Sequence, residues 1–219
     1  MSISENSEAS SPQFGDTRGL HGRSRPSIPS SFVKELSRMT TPGNSHEEQL
    51  ADIPWPLTFD SFSFDVRCYN TLASNIIFHG QQLALSKEID GPSGQPRSPD
   101  WKNRWTGGFI IPKDRMPPEP VAIRWTSLDG EQHYAEIDLI KGIFPEQVVL
   151  HNVPREDVNE DWARFEGGRT SSPDILMEVN DRTISVYMRA HVLTKSFPMP
   201  GREDVRSRRD LVLAWTQTY

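Results

Sequence analysis

One cysteine, Cys68, stands in a chain of 219 residues, which excludes an intrachain disulfide and any metal centre built on paired thiolates. No stretch reaches the roughly 18 consecutive apolar residues that a membrane-crossing helix requires. There is no glycine-rich phosphate loop, no dinucleotide fingerprint and no Gly-x-Ser-x-Gly elbow, so nucleotide chemistry and serine hydrolysis lack their usual sequence vehicles. The six histidines, His21, His46, His79, His133, His151 and His191, show none of the spacings of metal ligands. Lys and Arg number 24 against 30 Asp and Glu, a net charge of −6, and a phosphate-backbone binder needs the opposite balance. The expectation is a protein without catalytic, cofactor-binding or metal-ligating residues and without a nucleic-acid partner. The first thirty residues contain no apolar core of a secretory signal. As written, the chain is expected in the cytoplasm, and in the periplasm if a signal or lipid anchor belongs to a longer native start.

Hydrophobic residues make up 35% of the chain, low for a fully globular protein. The dilution lies in residues 1–50, which are rich in Ser, scattered with Pro and Gly, and without sustained period. Such a segment buries too little apolar surface to offset its ordering entropy, so it is expected to be disordered. Within it, Phe32, Val33, Leu36 and Met39 share one helical face behind a Ser cap. Residues 51–219 are expected to form a β-rich binding domain.

The strongest structural signal in that domain is a hairpin. In its first arm Val121, Ile123, Trp125 and Ser127 alternate with Ala122, Arg124, Thr126 and Leu128; Asp129-Gly130 reverses the chain, and Tyr134, Ile137 and Leu139 give the return arm apolar weight. Phe62, Phe64, Val66 and Cys68 alternate with polar residues as a half-buried strand, and Cys68 reads as a structural thiol. Residues 75–85 read as a hairpin turning at His79-Gly80, and 174–190 as another turning at Asn180-Asp181-Arg182. Gly107 to Pro112 is a short strand, and 210–219 a final one. Residues 154–165 read as a helix, with Pro154 at its start, acids in its first turn, Val158, Trp162 and Phe165 on one face, and Gly167-Gly168 at its end. Short strands, tight turns and one or two short helices predict a mainly β fold, an antiparallel sandwich or a curved sheet.

Two stretches carry candidate partner-binding residues. The Pro- and Gly-rich loop 92–105 is closed by Trp101 and Trp105, which form either a recognition surface or a latch tying the loop to the sheet. Glu156, Asp157, Glu160 and Asp161 with Trp162 form either a steered protein interface or a solvated helix start. Arg202, Arg206, Arg208 and Arg209 are the one basic run.

The stretch from Gly108 through Pro120-Val-Ala-Ile-Arg-Trp-Thr-Ser-Leu128 and Asp-Gly to Tyr134 and Leu139 resembles a family of uncharacterised bacterial lipoprotein-like β domains. In that family a proline-led strand carries Val, Ile and Trp and ends Ser-Leu, a Tyr lies on the returning strand, and a later strand pair like 174–190 follows. Some related small domains are immunity proteins for phospholipase effectors of type VI secretion. The resemblance implies an antitoxin-like protein that occludes the active site of a lipase effector, and it brings no catalytic residues. The alternative is an adaptor or chaperone for effector secretion that reads its cargo through residues 1–50.

Overall fold

The structure, a computed structural model, describes residues 54–197 and 206–219. The 1–50 segment, its 31–39 stretch and Arg202 lie outside these residues.

The fold is mainly β. Among the described residues the strands follow in order: β1 (Phe62–Tyr69), β2 (Thr71–Phe78), β3 (Gln81–Ser86), β4 (Phe109–Ile111), β5 (Val121–Ser127), β6 (Gln132–Ile137), β7 (Asp174–Asn180), β8 (Thr183–Arg189), β9 (Val192–Leu193), β10 (Ser207–Arg208) and β11 (Leu211–Thr218). One sheet has the order β11-β8-β7-β1-β4, the other β3-β2-β5-β6, and β9 pairs with β10. The sheets share one core. Phe62 and Phe64 of β1 meet Phe78 of β2, ring centroids 6.4 and 4.6 Å apart, and Ile76, Ile123, Ile175 and Val186 fill the space around them, fully buried. Each such side chain contributes roughly 1.5–3 kcal/mol by leaving water.

The expected hairpins form. Val121, Ile123, Trp125 and Ser127 are all buried, Gly130 turns at φ 87°, and β6 returns in register with Trp125 opposite His133. Tyr134 departs from expectation: it stands opposite Arg124 on the outer face, 53% exposed, while Ala135 and Ile137 supply the dry face. Among the described strands the pairings are antiparallel except that of β1 with β7, which run parallel. That pair arises because the chain leaves β1 through Asn70, at φ 51°, builds the whole four-stranded sheet, and returns beside its starting strand. As a result β7 is central and sandwiched: Ile175, Met177 and Val179 face the shared core, while Asp174, Leu176 and Glu178 face the other way and are buried too.

The expected helix over 154–165 is broken in two. Arg155–Asp157 is a single 3-10 turn, and α1 spans Glu160–Phe165. Between them Val158 is extended, fully buried, and bridged to Thr194, and the Asn159 N–H donates to the Leu193 carbonyl at 3.0 Å. The Asn159 side chain then accepts from the Trp162 N–H at 2.9 Å as an N-cap. A strand-like pairing and a good cap outweigh the intrinsic preference for one continuous helix. Gly167 and Gly168, at φ 61° and 75°, end α1 as expected.

Candidate partner-binding surface

Residues 87–108 fold back over the outer face of the five-stranded sheet, and the two tryptophans take different parts there. Trp105 is fully buried, and its Nε1 donates to Asp65 Oδ2 at 2.5 Å. That is the latch reading, so Trp105 leaves the set of exposed contact residues. Trp101 is half-buried, its ring 4.8 Å from Trp105 and 4.8 Å from Tyr69, with the Arg67 guanidinium 5.4 Å from both indole centroids. It remains an aromatic at the surface, held by neighbours on three sides.

The loop is fastened by charge as well. Arg189, on the outer row of β8, donates to the Trp105 carbonyl at 2.5 Å and the Lys102 carbonyl at 2.6 Å. Burial pulls its guanidinium below the ordinary arginine value, and the Asp174 carboxylate opposite partly offsets this. Asp174 Oδ1 accepts from Ser63 Oγ and the Gly107 N–H. Glycine is required at 107, because a Cβ there would sit 2.6 Å from the Ser63 carbonyl carbon. Lys102 Nζ lies 2.5 Å from Glu178 and donates to Tyr187 Oη at 2.6 Å. Burial opposes its charge, but the hydrogen bonds to Glu178 and Tyr187 hold Lys102 above the ordinary lysine value. Lys102 is thus a strut rather than a free cation. Beside it runs an open polar groove of about 540 Å³, floored by Thr183, Ser185 and Thr218.

The acidic stretch also divides. Asp157 accepts from the Ser196 N–H and Oγ at 2.9 and 2.8 Å, and Glu160 pairs with Lys195 at 2.5 Å. Those two carboxylates tie the start of α1 to the chain after β9. Glu156 and Asp161 point to solvent, Asp161 with its side chain 98% exposed and 3.8 Å from Arg164. Trp162 is half-buried against the core beside fully buried Ala163. Phe165, expected on the buried face, is 88% exposed, because the break at Val158 resets the phase of the helix. The sequence carried no sign of this, since a helix started at Pro154 places Phe165 in line with Val158.

Ser127 and His133 were not singled out by sequence, yet Ser127 Oγ lies 2.8 Å from His133 Nε2. Ser127 is fully buried and its hydroxyl donates to the Asp129 carboxylate, with the Glu131 carbonyl 3.2 Å away, so it closes the hairpin turn. His133 stacks on Trp125 at 4.8 Å and lines a hollow of about 420 Å³ that Ser127 does not reach. A nucleophile must meet its substrate, and this hydroxyl has no path to one. Among the described residues no three His, Cys, Asp or Glu side chains are placed to hold a metal ion, and no helix is long and apolar enough to cross a membrane. No family model, curated protein or solved structure matches the chain.

Proposed function

We propose that this chain is an immunity-type binding protein that inhibits a bacterial toxin, a lipase effector of type VI secretion, by covering its active site with the α1 ridge and the Trp101 loop. The observation that carries this reading is Phe165: an aromatic ring 88% exposed on a helix whose base is capped by Asn159 and anchored by buried Ala163. Leaving such a ring in water has a cost that a partner removes, worth roughly 1.5–3 kcal/mol if it is fully covered. Asp161 on the same helix and Glu156 in the turn before it add unburied negative charge, which speeds encounter with a basic rim without adding much to final affinity. The resemblance of 108–139 to lipoprotein-like β domains, some of whose relatives are immunity proteins, suggests the toxin class.

The test is to mix the full chain with a lipase effector encoded beside it and to measure complex formation and lipase activity. Inhibition is expected, with Phe165→Ala raising Kd about tenfold or more, mainly through faster dissociation. Charge reversal is informative at Glu156 and Asp161 alone, because Asp157 and Glu160 hold the fold. The pair Glu156→Lys and Asp161→Lys is expected to slow association and flatten its salt dependence. Neither complex nor inhibition would refute the reading. Deleting residues 1–50 is expected to leave inhibition intact; loss of binding on truncation favours the secretion adaptor instead.

A further inference from the structure

β11 is an edge strand with few of the usual protections. It spans eight residues, Leu-Val-Leu-Ala-Trp-Thr-Gln-Thr, with no charge and no proline. Its inner side pairs with β8, and among the described residues no strand pairs with its outer side. None of its residues is buried: Leu213 is 52% exposed, and even Val212 and Trp215, on the core-facing rows, are only half-buried. Edge strands normally discourage pairing through inward charges, prolines, bulges or very short length. The edge strand β4 shows two of these devices, being three residues long and followed by Pro112. β11 shows only a bulge, at Ala214 between Leu213 and Trp215.

The bulge specifies the partner. In a two-fold antiparallel pair, residue i of one strand faces residue j of the other, and both side chains must lie on the same face of the joined sheet. A regular strand achieves this only when its two-fold axis passes through a residue. β11 changes phase at Ala214: Leu211 and Leu213 lie on the outer rows opposite Arg189 and Tyr187, and past the bulge it is Thr216 and Thr218 that lie on outer rows, opposite Ser185 and Thr183. An axis between Ala214 and Trp215 therefore matches Leu213 with Thr216, Leu211 with Thr218, and on the core side Val212 with Gln217. The small Ala214 faces the large Trp215 at the centre. No pair opposes like charges.

We propose that β11 joins β11 of a second copy of this chain, antiparallel about an axis at the bulge, so that two five-stranded sheets become one continuous sheet across a symmetric dimer. The free backbone edge acquires a ladder of hydrogen bonds, and the half-exposed Trp215 and Val212 of each copy are covered by the other. No residue of β11 belongs to the proposed toxin-binding set.

The experiment is light scattering of the full chain over a concentration series. A mass near twice 24.9 kDa is expected for the wild type, and a mass near 24.9 kDa for the double variant Leu213→Lys with Thr216→Lys, which places like charges opposite each other. A thermal melt of that variant checks its fold. In a Cys68→Ser background, Leu213→Cys with Thr216→Cys is expected to oxidise to a covalent dimer, which tests the register even if the lysine variant unfolds. A monomeric wild type, including one whose β11 instead binds an unrelated protein, overturns the proposal. So does a dimer that withstands both lysines, or a cysteine pair that fails to cross-link.

Discussion

Cys68 and the two loop tryptophans show how much one residue's environment decides. The residue sits half-buried at the margin of the core, and burial lifts its thiol to about 11, with a hydrogen bond to Ser74 only partly opposing the shift. In the unfolded chain the thiol ionises near 9.0. The folded state therefore holds this proton more tightly, so the group's contribution to stability is fully present below pH 9 and is lost as pH rises toward 11. At pH 8 a thiol reagent is expected to leave the native protein unmodified and to react stoichiometrically in urea. Rapid native modification at pH 8 would show an accessible thiolate. The alternation of β1 was enough to place this cysteine beside the core. Nothing comparable separated Trp101 from Trp105: both lie in one polar loop, and only the approach of Asp65 to the Trp105 Nε1 makes one of them the latch.

At the scale of the element, the 87–108 loop depends on strands distant in sequence. Arg189 holds two of its carbonyls, and Lys102 is held by Glu178 and Tyr187. Arg189→Leu leaves those carbonyls unpaired and Asp174 without its nearest buried cation, a change expected to cost on the order of 3 kcal/mol. Limited proteolysis reads the same event locally: cleavage within 87–105 is expected to precede global unfolding in the variant and not in the wild type. Uncut loops and an unchanged urea midpoint would mean that the Trp105 ring alone secures the segment. α1 teaches the converse lesson. Its acids, its aromatics and its terminal glycines were legible, but its start was not, because the extended Val158 is dictated by pairing with Thr194, a residue 36 positions away.

For the whole molecule the decisive junction is where two hairpin turns and β11 meet. Trp125 Nε1 donates to the Asp181 carbonyl at 2.7 Å, the Leu128 N–H donates to Asp181 Oδ1 at 2.9 Å, and Arg182 pairs with Asp129 at 3.2 Å. The Tyr219 ring packs edge-on against Trp125 at 5.2 Å, and its N–H donates to the Arg182 carbonyl at 2.9 Å. Trp125 belongs to one sheet and its partners to the other, so it closes one end of the sandwich. Trp125→Ala is expected to cost about 3–5 kcal/mol, much of a typical stability margin. Equilibrium unfolding in urea checks this through a lower midpoint at unchanged slope. A midpoint close to the wild-type value would mean that the two sheets hold together without this junction.

What the sequence by itself determined is the set of local choices: alternation that makes strands, Asp129-Gly130 and Asn180-Asp181 that turn them, and a single cysteine that excludes an intrachain disulfide. These follow from short-range sterics and from which face of a strand is dry, both readable within about ten residues. The tertiary structure alone decided the parallel return of β7 beside β1, the burial of Leu176 and Trp105 beneath the loop, and the exposure of Phe165. Each of these depends on segments far apart in the chain, Ser63 with Asp174, Asp65 with Trp105 and Val158 with Thr194, and a side chain's exposure is a property of that meeting rather than of its neighbours in sequence.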